Sequence, residues 1–427
     1  METMEWELCR LLIDCLRKNE LAFDATRLSR LSPERWEALL TLATTQRVVS
    51  LLWQRLRQKG LDKTVPVGVT EVLREASRRN TLHNLLFYGE LRLLLSALKP
   101  EGIPLILLKG IFLADAVYGN IGLREMNDID VLARHADLTR IAKMLTSMGY
   151  SPLQPICADI TLDVHQHLPR MVKPDHASFE IHWNLTSPGE NYSIDPGGLW
   201  ERAMPVQVAG CETLSLAPED LLLHLCVHTS YHHQFEFGLR PSCDIAETIS
   251  HFGSALDWQT VAERAAGQGW QRGAYLALRL AKELAGADVP ADILARLRPT
   301  DITETVLETA RAQVFADKSL AIPLTLPLAE LLESRRLPDK IRIFWQRIFL
   351  PRAMIAAQYA VPMDSARIYS CYLRRFLYLL RRYGHTLKEF QGNDSPLKAL
   401  VNRKNLIANW LTRPATASES RMQQHNS

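Results

Sequence analysis

Residues 107–132 read LLKGIFLADAVYGNIGLREMNDIDVL, and the reading of this stretch decides the fold. Upstream, the run from Ile103 to Leu108 is short, apolar and preceded by Gly102, as for a buried strand. Lys109-Gly110 then marks a strand-to-helix turn, with a helix predicted over 111–119. Asp128-Ile129-Asp130-Val131-Leu132 alternates polar and apolar residues and predicts a second strand. An amphipathic helix follows over 137–148 and stops at Gly149, a C-cap signal. Segments 164–172 and 178–185 read as two strands joined by a loop holding Pro174, Asp175 and His176. Short strands are also expected at 206–208 and 213–216.

Helical patterns lie on both sides of this unit. Trp6, Leu8, Leu11, Leu12, Cys15 and Leu16 recur at three-four spacing. Ser32 before Pro33 is an N-cap followed by proline at the first helical position, and a long helix is predicted over 69–98. After Pro218, helices are expected over 218–233, 242–252, 257–268, 272–285, 303–316, 338–349 and 366–383. The expected organisation is an N-terminal helical region (1–98), a mixed-sheet core (99–216), a C-terminal helical domain (217–411) and a polar, disordered tail (412–427). The fold class is α+β.

Composition narrows the function. The 427 residues are 47% hydrophobic and 23% charged, which excludes wholesale disorder. Lys+Arg is 50 against 47 Asp+Glu, a net +3, too even for a chain whose main task is to coat nucleic acid. Seven scattered cysteines without a CxxC argue against a disulfide framework or a zinc ribbon. Glu2, Glu5 and Glu7 precede the first arginine, the wrong polarity for a signal peptide, and no apolar run reaches the length of a transmembrane helix. These features lead to the expectation of a cytoplasmic protein.

Asp128 and Asp130 flank Ile129, so on a strand both carboxylates face one way, ~7 Å apart. Like charges on one face repel, and a divalent cation is the obvious compensation. Mg²⁺ (or Mn²⁺) favours carboxylates together with substrate phosphates. A bare DxD specifies nothing alone, but here it has company. Gly110 lets the backbone approach a phosphate, Lys109 adds a mobile charge, and Arg124 lies four residues before Asp128. The segment FEIHW supplies Glu180 and His182, and Asp163 in LDVH is a second source of a third carboxylate.

Together these motifs resemble the uncharacterised nucleotidyltransferase family of the DNA polymerase beta-like superfamily. The resemblance rests on Leu108-Lys109-Gly110, Arg124, Asp128-Ile129-Asp130-Val131-Leu132, Gly149-Tyr150 and Glu180-Ile181-His182-Trp183. It continues into the run from Pro218 to Cys226 and into Asp257-Trp258, spans about residues 30–340, and is strongest over 103–186. It implies transfer of a nucleoside monophosphate from a nucleoside triphosphate to an unidentified acceptor, in a bacterial setting. Asp128, Asp130 and Glu180 would hold Mg²⁺, with Glu180 favoured over Asp163 because its strand matches the pattern. Lys109, Gly110 and Arg124 would meet the phosphates. The broad superfamily carries a Gly-Ser pair on the turn before DxD, whereas Lys109-Gly110-Ile111 has no serine, so the phosphate contact would fall to Lys109 and backbone amides.

Three further features need a place. His224, His228 and His232 share one helix face, beside His233. With no HExxH present, His224 and His228 are expected to have a structural or substrate-lining role rather than to bind zinc, and His182 is a further candidate to line the substrate site. Arg240 and Asp244, at i and i+4, are expected to pair. The segment 366–388 carries Arg374, Arg375 and Arg381 among aromatics with no acid, and suits either a solvated helix face or contact with a membrane surface or RNA. Two alternatives to an enzyme therefore stand: a catalytically silent binding module, and a membrane- or RNA-associated adaptor using this basic helix.

Overall fold

The computed structural model describes residues 3–18, 25–153, 166–187, 194–316, 364–390 and 396–413, together with positions 352, 355, 359 and 361. The expected helix over 338–349, Asp163 and the tail beyond 413 lie outside the described residues.

Seven strands form one mixed sheet in the order β3-β4-β5-β2-β1-β7-β6. They are β1 (Ile106–Leu107), β2 (Asp128–Leu132), β3 (Ser151–Pro152), β4 (Met171–Val172), β5 (Ser178–His182), β6 (Met204–Val208) and β7 (Cys211–Ser215). At the centre β2 runs parallel to β5 and antiparallel to β1. Strand β1 is parallel to β7, which closes a hairpin with β6. Alternation sorts the central pair by face. Ile129, Val131, Phe179 and Ile181 are fully buried in the core, each contributing about 1.5–3 kcal/mol, and the polar residues between them face the other way.

Helices enclose the sheet. On the N-terminal side are Thr3–Leu16, Pro33–Thr45, Val49–Gln58 and Val67–Leu98. Ser32 caps the second of these, its Oγ accepting from the Arg35 N–H at 3.4 Å. On the C-terminal side, Pro218–Val227, Arg240–Phe252, Trp258–Gly267, Gln271–Ala285 and Glu304–Val314 pack into the same continuous apolar core. No described helix is long and apolar enough to cross a membrane.

Two helices depart from the sequence expectation in the same manner. The segment expected as a helix over 111–119 is one α-turn, Lys109–Phe112, running into a π-helical turn, Leu113–Val117. The helix expected over 218–233 ends as α-helix at Val227 and continues as a π-turn, His228–His232. Hydrophobic periodicity cannot distinguish a wider turn inserted at the end of a regular helix, and such turns recur at functional sites.

The irregular loop before β2 is fixed from both sides. From the long helix, Asn80 Nδ2 donates to the Gly122 carbonyl at 2.7 Å and Asn84 Nδ2 to the Arg124 carbonyl at 2.8 Å. Tyr88 donates to the Ile111 carbonyl at 2.8 Å. From the C-terminal side, Asp244 accepts a fork from Arg124 Nε and Nη2, both at 2.9 Å, and a hydrogen bond from Tyr118 at 2.8 Å. Asp244 therefore pairs with Arg124, not with Arg240 as its helical spacing suggested; Arg240 Nη1 instead donates to the Glu125 carbonyl at 3.1 Å. Both members of the Arg124–Asp244 pair are buried. Asp244→Ala leaves the guanidinium buried without its carboxylate, and is expected to cost about 3–5 kcal/mol in urea denaturation. A loss under about 1 kcal/mol contradicts this account of the loop.

Candidate active site

The parallel register of β2 and β5 assembles the acidic residues. Asp130 stands opposite Glu180 and Leu132 opposite His182, placing Asp130 and Glu180 abreast on one face at the ~4.8 Å strand spacing. Asp128 and His182 each lie two residues along the same face. Ligand atoms of Asp130, Glu180 and His182 all fall within 4.8 Å of one another. Two carboxylates and one imidazole suit a divalent cation that prefers oxygen and tolerates nitrogen.

Each carboxylate already has a cationic or hydrogen-bonding partner. Lys109 Nζ lies 2.8 Å from Asp130 Oδ1, and His182 Nε2 approaches the same oxygen at 3.0 Å. Burial opposes ionisation of Asp130, but the Lys109 charge and the His182 hydrogen bond outweigh it and hold the carboxyl well below the usual range. Burial keeps His182 below the ordinary histidine value despite Asp130, and its Nε2 faces the Asp130 carboxylate. Lys109 reaches Asp130 from a left-handed backbone, φ 45°, a conformation that costs a non-glycine residue on the order of 1 kcal/mol.

Arg170 covers the other two acids. Its Nη2 contacts Asp128 Oδ2 at 2.9 Å, and its guanidinium also grips Glu180 Oε1, Nε at 2.9 Å. Asp128 nonetheless feels burial first, then Asp130 and Glu180, and its pKa is pushed up to about 6. Sequence reasoning placed Arg170 only inside an expected strand. It belongs to no motif, and its role arises because the chain leading into β4 runs antiparallel beside β5, with His167 bridged to His182 and the Leu168 N–H donating to the Ile181 carbonyl.

Around these acids lies a cleft of about 150 Å³, lined also by Arg47, Arg124, Arg240, Asn127 and Phe237. Five basic side chains thus face three carboxylates. Gly110 is required here for side-chain room: a Cβ at this position would fall on Arg124 Nη1 and 2.9 Å from Met126 Cγ. Arg124 is therefore held by Asp244 while still lining the cleft. Arg240 is undersupplied with anions. Its Nε has no acceptor among the described residues, and desolvation together with Arg124 lowers its pKa to about 10. A second chamber adjoins the cleft, lined by His182, His224, His228, His232 and His233, which places His182, His224 and His228 on one chamber wall beside the carboxylates.

Asp128 and Asp130 have opposite signs in linkage. Asp128 has a raised folded pKa, so its ionisation destabilises the fold progressively between about pH 4 and pH 6 and fully above. Asp130 has a lowered one, so its stabilisation is present above the unfolded value near 4 and is lost as pH falls further. At pH 7.5 without ligands, Asp128→Asn is expected to raise stability by about 1 kcal/mol, a gain that vanishes by about pH 4. Asp130→Asn strands Lys109 and is expected to cost about 3 kcal/mol. Chemical denaturation of both variants checks this, and equal effects of the two contradict it.

No functionally curated protein matches the chain. Among solved structures, the solution structure of the antibiotic-resistance factor ANT(2'')-Ia is similar over 47% of this chain and 96% of that one, at 12% identity and a TM-score of 0.33. The model of the family described as "Uncharacterised nucleotidyltransferase" matches residues 32–286, more than half the chain and all of the sheet. The chain belongs to the uncharacterised nucleotidyltransferase family.

Proposed function

We propose that the protein is a metal-dependent nucleotidyltransferase that joins a nucleoside monophosphate, taken from a nucleoside triphosphate, to an acceptor hydroxyl. One observation carries this reading: Asp128, Asp130 and Glu180 share a sheet face inside a cleft ringed by Arg47, Lys109, Arg124, Arg170 and Arg240. Carboxylates alone would repel a triphosphate and basic residues alone would need no acids. Both together suit a phosphate chain accompanied by divalent cations.

Asp128, Asp130 and Glu180 would hold Mg²⁺ or Mn²⁺, with His182 beside them. When bound, the cations supply Lewis-acid charge to the phosphate oxygens. Arg170 releases Asp128 and Glu180 for this role and turns its guanidinium to the triphosphate. Lys109 and Arg240 neutralise charge that accumulates toward the leaving pyrophosphate. The acceptor oxygen forms a bond to the α-phosphorus as the bond to pyrophosphate breaks, and its proton passes to Glu180.

With α-labelled ATP, GTP, CTP and UTP and a cell extract as acceptor source, the wild type is expected to transfer label only when Mg²⁺ or Mn²⁺ is present. Asp130→Asn and Glu180→Gln are expected to lower the rate at least ~100-fold. Failure of every nucleotide to bind by calorimetry, with no label transferred, contradicts the reading.

A further inference from the structure

The chamber beside the cleft has a volume of about 350 Å³ and shares Lys109, Glu180, His228 and His233 with it. Beyond that common wall its character changes. The cleft is ringed by arginines, whereas the chamber is closed by Gln166, His167, Leu185, His224, Tyr231 and His232, with no arginine and no further carboxylate among the described residues. An in-line displacement needs its two substrates on opposite sides of the α-phosphorus. Two chambers of unlike chemistry meeting at Glu180 supply those two sides.

His224 makes the chamber more than a packing gap. Its ring is 2% exposed, and neither Nδ1 nor Nε2 has a hydrogen-bond partner among the described residues. His232 Nε2 is likewise buried and unpartnered. Leaving buried polar atoms unpaired costs roughly 1–3 kcal/mol each, and a groove that merely filled space would be lined by apolar side chains at no such cost. The π-turn His228–His232 adds to the same picture, because it carries His228 and His232 to the chamber wall directly after His224.

We infer that this chamber is the acceptor subsite, and that it takes an uncharged, hydroxyl-bearing group. The inference rests on the nucleotidyltransferase reading and deepens it. A neutral imidazole presents one donor and one acceptor nitrogen, which matches a hydroxyl, itself donor and acceptor. Burial first, and Lys109 second, push His224 and His228 well below the usual histidine value, and bring His232 and His233 down to about 3. The histidines are therefore uncharged at neutral pH. Among the described residues, the formal charges on the wall are engaged: Lys109 by Asp130, and Glu180 by Arg170 or, once Arg170 has turned to the triphosphate, by the cations it would hold. Among the described residues, an ammonium group in the chamber finds no free carboxylate, and a carboxylate or phosphate finds no free cation. Burying either uncompensated is costly. A hydroxyl lodged among the histidines points its oxygen toward Glu180, the group assigned to take its proton.

The test uses the full-length protein and a fragment library divided into neutral hydroxyl compounds, amines, and carboxylates or phosphates. Binding is read by saturation-transfer NMR on wild type, on His224→Phe and on Gln166→Trp, which puts a bulkier side chain at a second, half-buried lining position. The expected result is that the fragments weakened about tenfold or more by both variants are neutral hydroxyl compounds. Charged fragments dominating that set, or no fragment depending on the chamber, overturns the inference. Calorimetry with ATP, GTP, CTP and UTP, each with Mg²⁺, on the same wild-type sample separates the two claims. Lost nucleotide binding there contradicts the nucleotidyltransferase reading, whereas retained nucleotide binding with charged, chamber-dependent fragments contradicts only the acceptor class.

Discussion

Three carboxylates on one face of a sheet repel one another, and much of the structure around β2 and β5 compensates for that repulsion. The strands themselves create the problem, because a parallel register that buries Ile129, Val131, Phe179 and Ile181 forces Asp128, Asp130 and Glu180 onto the opposite face. The compensation is divided. Lys109 and His182 hold Asp130 ionised, while Arg170 spans Asp128 and Glu180. The division is unequal, so Asp128 is left on the edge of ionisation near neutral pH. That residual imbalance is the physical reason the face should welcome additional positive charge.

The basic ring of the cleft is held by long-range ties. Arg124 sits on a loop with little regular structure, yet its backbone is anchored by Asn84 from the long helix and its guanidinium by Asp244 from a helix more than a hundred residues later. The large helical regions thus have a definable task. They position the loop, supply Arg47 and Arg240 to the cleft, and contribute the histidines of the neighbouring chamber.

Much of this was legible in the chain, and the reason is local. Alternation in DIDVL and SFEIH, the Lys109-Gly110 turn and the Gly149 stop depend on residues close in sequence, and the strands and helices stand within a few positions of where those signals put them. What escaped depends on tertiary contact. Arg170 reaches its acids only because of the path before β4. Asp244 pairs with Arg124 across the fold, although the local i, i+4 rule pointed to Arg240. Gly110 was read as room for a phosphate, while the structure shows it making room for a guanidinium. Both π-turns interrupt helices whose apolar spacing gives no warning, and the short helices Pro196–Arg202 and Ala291–Leu297 lack enough turns to display a period.

The central claim is that these acids form a site for divalent cations and a nucleotide, with Arg170 as the stand-in charge in their absence. The most direct measurement is a crystal structure with Mn²⁺ and a non-hydrolysable triphosphate, with data collected for manganese anomalous scattering. The account predicts anomalous density among Asp128, Asp130 and Glu180, with Arg170 moved off both carboxylates and onto phosphate oxygens. Anomalous density elsewhere, or none with the Arg170 bridge intact, would contradict it.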